Sequence, residues 1–273
     1  MVLLSRPIDR PLQPQLFARW LAPGRQLLAV GLLLPADEDL AVVVPLALSR
    51  SRGPSAVQLR DLSGVPSLFI ELAGAFRPPE RVPKGASGNG REVTNIATTA
   101  LGHLEGTSVL GLDELRAAGA SFSGALAAAE ALPDAADLGF AAFTFRGKSP
   151  GRVARWLGLD ARLWLMGVEL DARDPARLYF PTRFAAGGPP PAAIDHDDLL
   201  YCQVDRRHAP DFDRADIREG DPTQQTGWVG ARALSAELGL AAATRAIVDD
   251  AQDCFHAEIY GPRPNVDRWV LAV

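Results

Sequence analysis

The tetrapeptide Ala-Arg-Trp-Leu occurs at residues 18–21 and again at 154–157, and this spacing constrains the fold more than any other feature. When residues 1–45 are aligned with 137–181 without a gap, eleven of the 45 positions are identical. Chance alone gives about 8% in so biased a composition. Because self-similarity at a fixed spacing is typical of duplication, the sequence predicts two α+β units, at 1–136 and 137–273.

Each unit of about 136 residues is predicted to follow the order β-α-β-β-β-α-β, with helices packed on a mainly antiparallel sheet. Trp20 and Trp156 fall on helices in this scheme and are predicted to join helix to sheet. The predicted elements of the first unit are strands at 2–9, 27–34, 40–48 and 67–73 and helices at 12–21, 91–104 and 111–131. Those of the second are strands at 138–146, 161–170, 177–184, 198–204, 254–261 and 267–273 and helices at 149–157 and 226–251.

Charge and composition narrow the classes of partner. The net charge is −5, which argues against nucleic acid, because proteins that bind its phosphates usually present a basic face. The longest apolar stretch, 27–35, is too short to cross a bilayer. Without a recognisable signal peptide, the expected compartment is the cytoplasm. Cys202 and Cys254 are expected to be packed thiols and to form no disulfide framework.

The residues best suited to chemistry lie in the second unit, which holds three of the four histidines and both cysteines. His256 and Glu258 are two positions apart on a predicted strand, as are His196 and Asp198, so each pair shares one face. These four side chains are a candidate site for a divalent metal. Without a metal, His196, His256 and Glu258 are the candidate catalytic acid and base groups. The alternative is a hydrogen-bonded strand histidine and a solvated turn.

A second candidate site is the loop at 82–95, which is rich in glycine and precedes a predicted helix. Lys84 and Arg91 would carry positive charge near the helix N-terminus, where anions bind favourably. We therefore consider them cofactor-binding residues for an anionic group. The alternative is an ordinary surface connection, since clusters of Gly, Ser and Asn are typical of loops.

The segment FRGKSP, its predicted helix and the hairpin LWLMGVELDARDPARLYF resemble the bacterial aromatic prenyltransferases of the αββα-barrel type over about 45 residues. The resemblance implies a barrel whose lumen is lined by Arg and Tyr side chains. Tyr179 and Arg183 are the hairpin residues that could serve there. The predicted strand-helix-strand-strand order departs from the paired strands and paired helices of that family.

Three functions follow from these observations. The first is a small-molecule enzyme with its site in the second unit or in the cleft between the units, using acid/base or metal-assisted chemistry. The second is a non-catalytic binding or chaperone-like protein that holds a protein partner or small molecule on its duplicated sheet. The third is a prenyltransferase-like barrel. A concave pocket that holds the histidines would favour the first function, and an exposed apolar patch would favour the second.

Overall fold

A computed structural model describes residues 2–8, 13–35, 39–49, 53, 55–76, 105–109, 111–146, 161–204, 227–232 and 240–271. Within these ranges the chain is mixed α+β and rich in strands. The strands are β1 Val2–Leu4, β2 Gln15–Ala22, β3 Arg25–Pro35, β4 Leu40–Ala47, β5 Val57–Arg60, β6 Glu105–Val109, β7 Leu138–Phe145, β8 Ala161–Asp171, β9 Arg177–Phe180, β10 Phe184–Ala186, β11 Ala193–Val204, β12 Gly227–Arg232, β13 Asp253–Pro264 and β14 Arg268–Leu271. The helices are α1 Leu68–Phe76, α2 Leu112–Ala117, α3 Ser123–Glu130 and α4 Ala242–Arg245.

The strands form two main sheets and a ribbon. The five-stranded sheet has the order β10-β1-β4-β7-β6, and the seven-stranded sheet has the order β12-β13-β11-β2-β3-β8-β5. A two-stranded ribbon pairs β14 with β9. Neighbouring strands run antiparallel except β1 with β10 and β11 with β2. The predicted antiparallel, helix-covered architecture is therefore present, but each main sheet takes strands from both sides of residue 136.

Both faces of the central strands are buried, which explains their nearly continuous apolar sequences. In β4, Val42 and Val44 point into the core between the two main sheets, while Val43 points to the opposite face. Helices α2 and α3 cover that outer face of the five-stranded sheet. Helix α1 and residues 240–248 cover the outer face of the seven-stranded sheet. The molecule is thus a sandwich of two sheets with helices outside.

Two segments have the opposite secondary structure from the one predicted. Residues 12–21, predicted as a helix, contain β2, whose alternate residues pack into the two different cores. Residues 67–73, predicted as a strand, contain α1, whose first turn is closed by a hydrogen bond from the Glu71 N–H to the Ser67 carbonyl (2.8 Å). Contacts with distant segments account for both cases, because β2 pairs with β3 and β11, and α1 packs its apolar residues on the outer face of the seven-stranded sheet. Trp20 therefore lies on a strand, where it packs against the inter-sheet core.

The predicted helix at 226–251 is also wrong in its extent. Strand β12 lies at its start, and α4 covers only Ala242–Arg245 near its end. The predicted helix 149–157, with Trp156, lies outside the described residues. No described helix combines the length and apolar character needed to cross a membrane.

The duplication is not confirmed. At an offset of 136 residues β1 falls on β7, β3 on β8 and β4 on β9, in agreement with a repeat. At the same offset β6 is aligned with α4, and α3 is aligned with β13, so in two places a strand is aligned with a helix. The division into units at 1–136 and 137–273 stays a prediction.

Three buried side-chain amides each make the pair of backbone hydrogen bonds that a neighbouring strand would otherwise provide. The Gln26 amide donates to the Tyr179 carbonyl (2.7 Å) and accepts from the Tyr179 N–H (2.9 Å). Gln203 does the same with Asp249 (2.8 and 2.7 Å), and Asn265 with Phe184 (2.8 and 2.7 Å). Each amide satisfies both backbone groups of one residue in a segment that is distant in the sequence.

We expect Gln26→Leu to lower the free energy of unfolding by about 2–4 kcal/mol, because the buried N–H and C=O of Tyr179 lose their partners. The matched control is Gln58→Leu on the exposed side of β5, which should change it by less than about 0.5 kcal/mol. Urea denaturation of the three proteins measures the difference. Equal stability of the two variants would show that the Gln26 amide does not hold β9 in place.

Candidate functional site

A cleft of about 360 Å³ opens at one end of the sandwich, where β1 and β10 of the five-stranded sheet face β11 of the seven-stranded sheet. We call it the inter-sheet cleft. Its walls are formed by Val2, Pro7, Ile8, Pro14, Pro181, Thr182, Arg183, Phe184, Ala186, Ile194, Asp195, His196, Asp197 and Asp198. Val2 belongs to the inter-sheet core, and Ile8, Phe184 and Ala186 pack against it. The cleft is therefore an unfilled, mostly apolar extension of that core.

Strand β11 borders the cleft, and part of one of its edges is not paired with any described strand. It pairs with β13 along all twelve residues, from Ala193 to Val204. It pairs with β2 only from Leu199 to Gln203, over five residues. Because β2 begins so late in the register, no described strand lies beside residues 193–197 on the β2 side. Pro14 and Gln13, which precede β2, lie next to Asp198 and Asp197, where the Gln13 amide donates to the Asp197 carboxylate.

The hydrogen-bond phase of β11 shows which backbone groups face this open edge. The Leu199 N–H donates to the Pro14 carbonyl (2.9 Å), so odd-numbered residues face the β2 side. Pro262 lies opposite Asp195 in β13 and has no N–H to offer, which fits the non-hydrogen-bonded position of an antiparallel pair. The backbone N–H and C=O of Asp195 and Asp197 therefore point to the open edge and have no ladder partner among the described residues.

The predicted pair His196 and Asp198 lies in the cleft wall and is buried. Nδ1 of His196 is 2.6 Å from Oδ2 of Asp198, and Nε2 is 3.4 Å from the Pro264 carbonyl oxygen. The side chains are 0% and 4% exposed. Burial raises the pKa of Asp198, and its hydrogen bond to His196 opposes that shift. Both ring nitrogens are thus engaged inside the protein, so His196 is poorly placed to exchange protons with a molecule in the cleft.

His256 and Glu258 also lie together, with Nε2 3.7 Å from Oε1. The imidazole stacks on Tyr201 at a ring distance of 4.8 Å and lies against Phe76 at 5.3 Å. Its Nε2 has no hydrogen-bond partner in the described part of the chain. Burial lowers the pKa of His256 to about 4, so the ring is neutral near pH 7.

The two pairs do not form one site. His256 lies opposite Tyr201 in the ladder, five residues along β11 from His196, which is a separation of roughly 17 Å along the strand. Because five is odd, the pairs also point to opposite faces of the sheet. The described residues contain no group of three or more His, Cys, Asp or Glu side chains suited to a metal ion. The geometry therefore does not assemble the predicted metal site of His196, Asp198, His256 and Glu258.

Of the other residues considered in the sequence, two lie outside the described ranges and two are buried cysteines. Lys84 and Arg91 lie outside the described residues, as do the loop residues around them. Cys202 and Cys254 are free and buried, and burial raises the pKa of both thiols. This agrees with their expected role as packed thiols.

Arg183 and Tyr179 do not line a barrel. Arg183 extends its guanidinium to Asp134 (3.3 Å) and Asp267 (3.4 Å), and the Tyr179 hydroxyl donates to the Pro45 carbonyl (3.1 Å). Burial, with Asp267 nearby, raises the pKa of Tyr179 well above its usual value. The described strands form two facing sheets and a ribbon, instead of the barrel that the prenyltransferase resemblance implies.

Sequence reasoning missed the open edge and the opposite wall of the cleft. The wall comes from Pro181 to Phe184, which were predicted as the end of a strand. Pro262 and Pro264 alternate within β13, but their missing N–H groups lie on the side of β13 away from β11, so the sequence carried no signal for the open edge of β11.

No protein-family model matches the chain, and no curated protein matches it significantly. Among solved structures, it is similar to baculovirus P35, with 8% identity, a TM-score of 0.45 and 97% of each chain covered. It is also similar to P35 in the caspase-8/P35 complex, with 7% identity, a TM-score of 0.42, and 97% of this chain and 99% of that chain covered. Likeness at this level does not establish a shared fold, and no residue role is carried over from it.

We expect His256 to make stability depend on pH. Its pKa is about 4 in the folded protein and about 6.5 when unfolded, so the unfolded state takes up a proton as the pH falls from 6.5 to 4. Stability is therefore lost on acidification, by about 2 kcal/mol between pH 7 and pH 5 from this group. Urea denaturation at both pH values measures it.

The control is His256→Phe, which retains the ring against Tyr201 but cannot titrate. Its loss of stability between pH 7 and pH 5 should be smaller than that of the wild type by the same amount. An identical loss in both proteins, or an NMR titration of His256 with a pKa near 6.5, would contradict the account.

Proposed function

We propose that the protein is a non-catalytic binding protein that holds an extended segment of a partner protein in the inter-sheet cleft. The observation that carries the proposal is the coincidence of the cleft with the open edge of β11. At residues 193–197 an apolar hollow lies beside the backbone groups of Asp195 and Asp197, which have no ladder partner among the described residues. Strand addition to such an edge is a common way of binding peptides, in which backbone hydrogen bonds and side-chain pockets act together.

The chemistry of the described residues supports binding more than catalysis. His196 has both nitrogens engaged, and His256 lies on the other face of the sheet. Asp198 is buried against His196 and is satisfied by it. An acid/base enzyme needs a group within hydrogen-bond reach of the substrate, and neither histidine meets this requirement from the cleft.

A small apolar molecule is the second candidate ligand. The volume of the cleft, about 360 Å³, falls within the range of roughly 300–1,000 Å³ that is usual for small-molecule sites. The open edge favours a peptide, because a small apolar molecule would leave the backbone groups of Asp195 and Asp197 without partners.

Peptide display on the purified protein tests the proposal. Ala186 lies in the cleft wall, so Ala186→Phe places a ring in the hollow. We expect selected peptides to bind the wild type and to lose at least about tenfold in affinity for Ala186→Phe, which corresponds to about 1.4 kcal/mol. Mass spectrometry should recover them chemically unchanged.

The matched control is Ala243→Phe, an equal change at an exposed position of α4. It should bind the selected peptides as the wild type does. The proposal fails if no peptide is enriched, if Ala186→Phe binds equally well, or if the bound peptides are cleaved or modified. Thermal unfolding of each variant checks that it is folded.

A further inference from the structure

The residues that border the open edge of β11 alternate in chemistry. Ile194 and His196 face inward, toward the apolar wall of the cleft, as do the even-numbered core residues that follow them. Asp195 and Asp197 also border the cleft, but as odd-numbered residues of β11 they direct their side chains to the opposite side of the sheet. A strand that pairs with this edge would have the same alternation, with one set of side chains in the cleft and the other set beside the two aspartates.

The outward side of the edge is acidic. Tyr260 lies opposite Asp197 in the ladder, and Glu258 follows two positions away on the same face. Asp195 is exposed, and Asp197 accepts a hydrogen bond from the neutral Gln13 amide (2.8 Å). No ion pair joins Asp195 or Asp197 to a cation within the described residues.

An exposed aromatic ring adds to this acidic strip. The Tyr260 side chain is among the few large apolar side chains exposed in the described chain, at 38%. Burial of its hydroxyl, with Glu258 and Asp197 nearby, raises the pKa of Tyr260 to about 12, so the ring is neutral. A neutral tyrosine ring next to carboxylates attracts Lys and Arg side chains through its face.

We infer that the partner segment is a strand of about five residues, the length of the edge at 193–197, in which apolar and basic side chains alternate. The inference rests on the proposed function, which supplies the edge and the cleft. The apolar side chains enter the inter-sheet cleft, and the Lys or Arg side chains lie over Asp195, Asp197 and Tyr260. Like charges placed opposite each other across a ladder destabilise it, so the same geometry disfavours an acidic segment.

Two synthetic peptides test this composition. One alternates valine with lysine and the other alternates valine with glutamate, and each carries a fluorophore for anisotropy. We expect the lysine peptide to bind at least about tenfold more tightly. Two further peptides have the lysine sequence with N-methyl groups on alternate amides, in the two possible alternations. The peptide whose methylated amides face β11 should bind much more weakly than the other, because it cannot donate hydrogen bonds to β11.

Charge variants locate the effect. Asp195→Asn with Asp197→Asn should weaken the lysine peptide about tenfold and reduce the dependence of its affinity on salt. The control is Asp61→Asn with Asp113→Asn, which removes equal charge at exposed positions away from the cleft and should leave the affinity unchanged.

The outcomes separate the two proposals. Equal affinity for the lysine and glutamate peptides, or equal weakening by both pairs of variants, overturns the inference. Undiminished binding of the lysine peptide to Ala186→Phe overturns it too, because attachment is then only to the surface charge. If peptides selected by display bind in the cleft and the lysine peptide does not, the inference fails and the proposed function stands. If no peptide of any kind binds, the proposed function fails.

Discussion

The antiparallel ladder between β3 and β8 is the contact on which the rest of the structure depends. It joins eleven residue pairs, from Arg25 with Asp171 to Pro35 with Ala161. Every other strand of the seven-stranded sheet is attached to one side of this ladder or the other. Because its two strands lie far apart in the sequence, the seven-stranded sheet cannot be completed until the chain closes this long loop.

The candidate site exists because β11 is longer than β2, the strand that joins it to that ladder. Strand β2 leads into β3 through a tight turn, and its pairing with β11 begins only at Gln15. Strand β11 continues past this point because β13 supports it on its other edge. The overhang leaves an open edge beside the end of the sandwich core, where Asn265 satisfies the outer edge of β10 and keeps the opposite wall in place.

Local patterns in the sequence could be read correctly, but contacts between distant segments could not. Alternation placed His196 with Asp198 and His256 with Glu258, and the structure shows both pairs. The register between β11 and β13, which separates the pairs, is set by tertiary packing. Gly31 and Gly167, which are identical in the alignment of the two units, are a second example. A Cβ at Gly31 would clash with the Phe69 side chain, and a Cβ at Gly167 would clash with the Arg60 carbonyl oxygen. Their match in the alignment therefore has separate local causes.

Amide hydrogen exchange of the free protein, followed residue by residue by NMR, tests the open edge most directly. The account predicts that the amides of Asp195 and Asp197 exchange at least about 100-fold faster than those of Tyr201 and Gln203, which face β2 in the paired part of the same strand. Protection of all four amides to the same degree would contradict it, because the edge would then already be covered in the free protein.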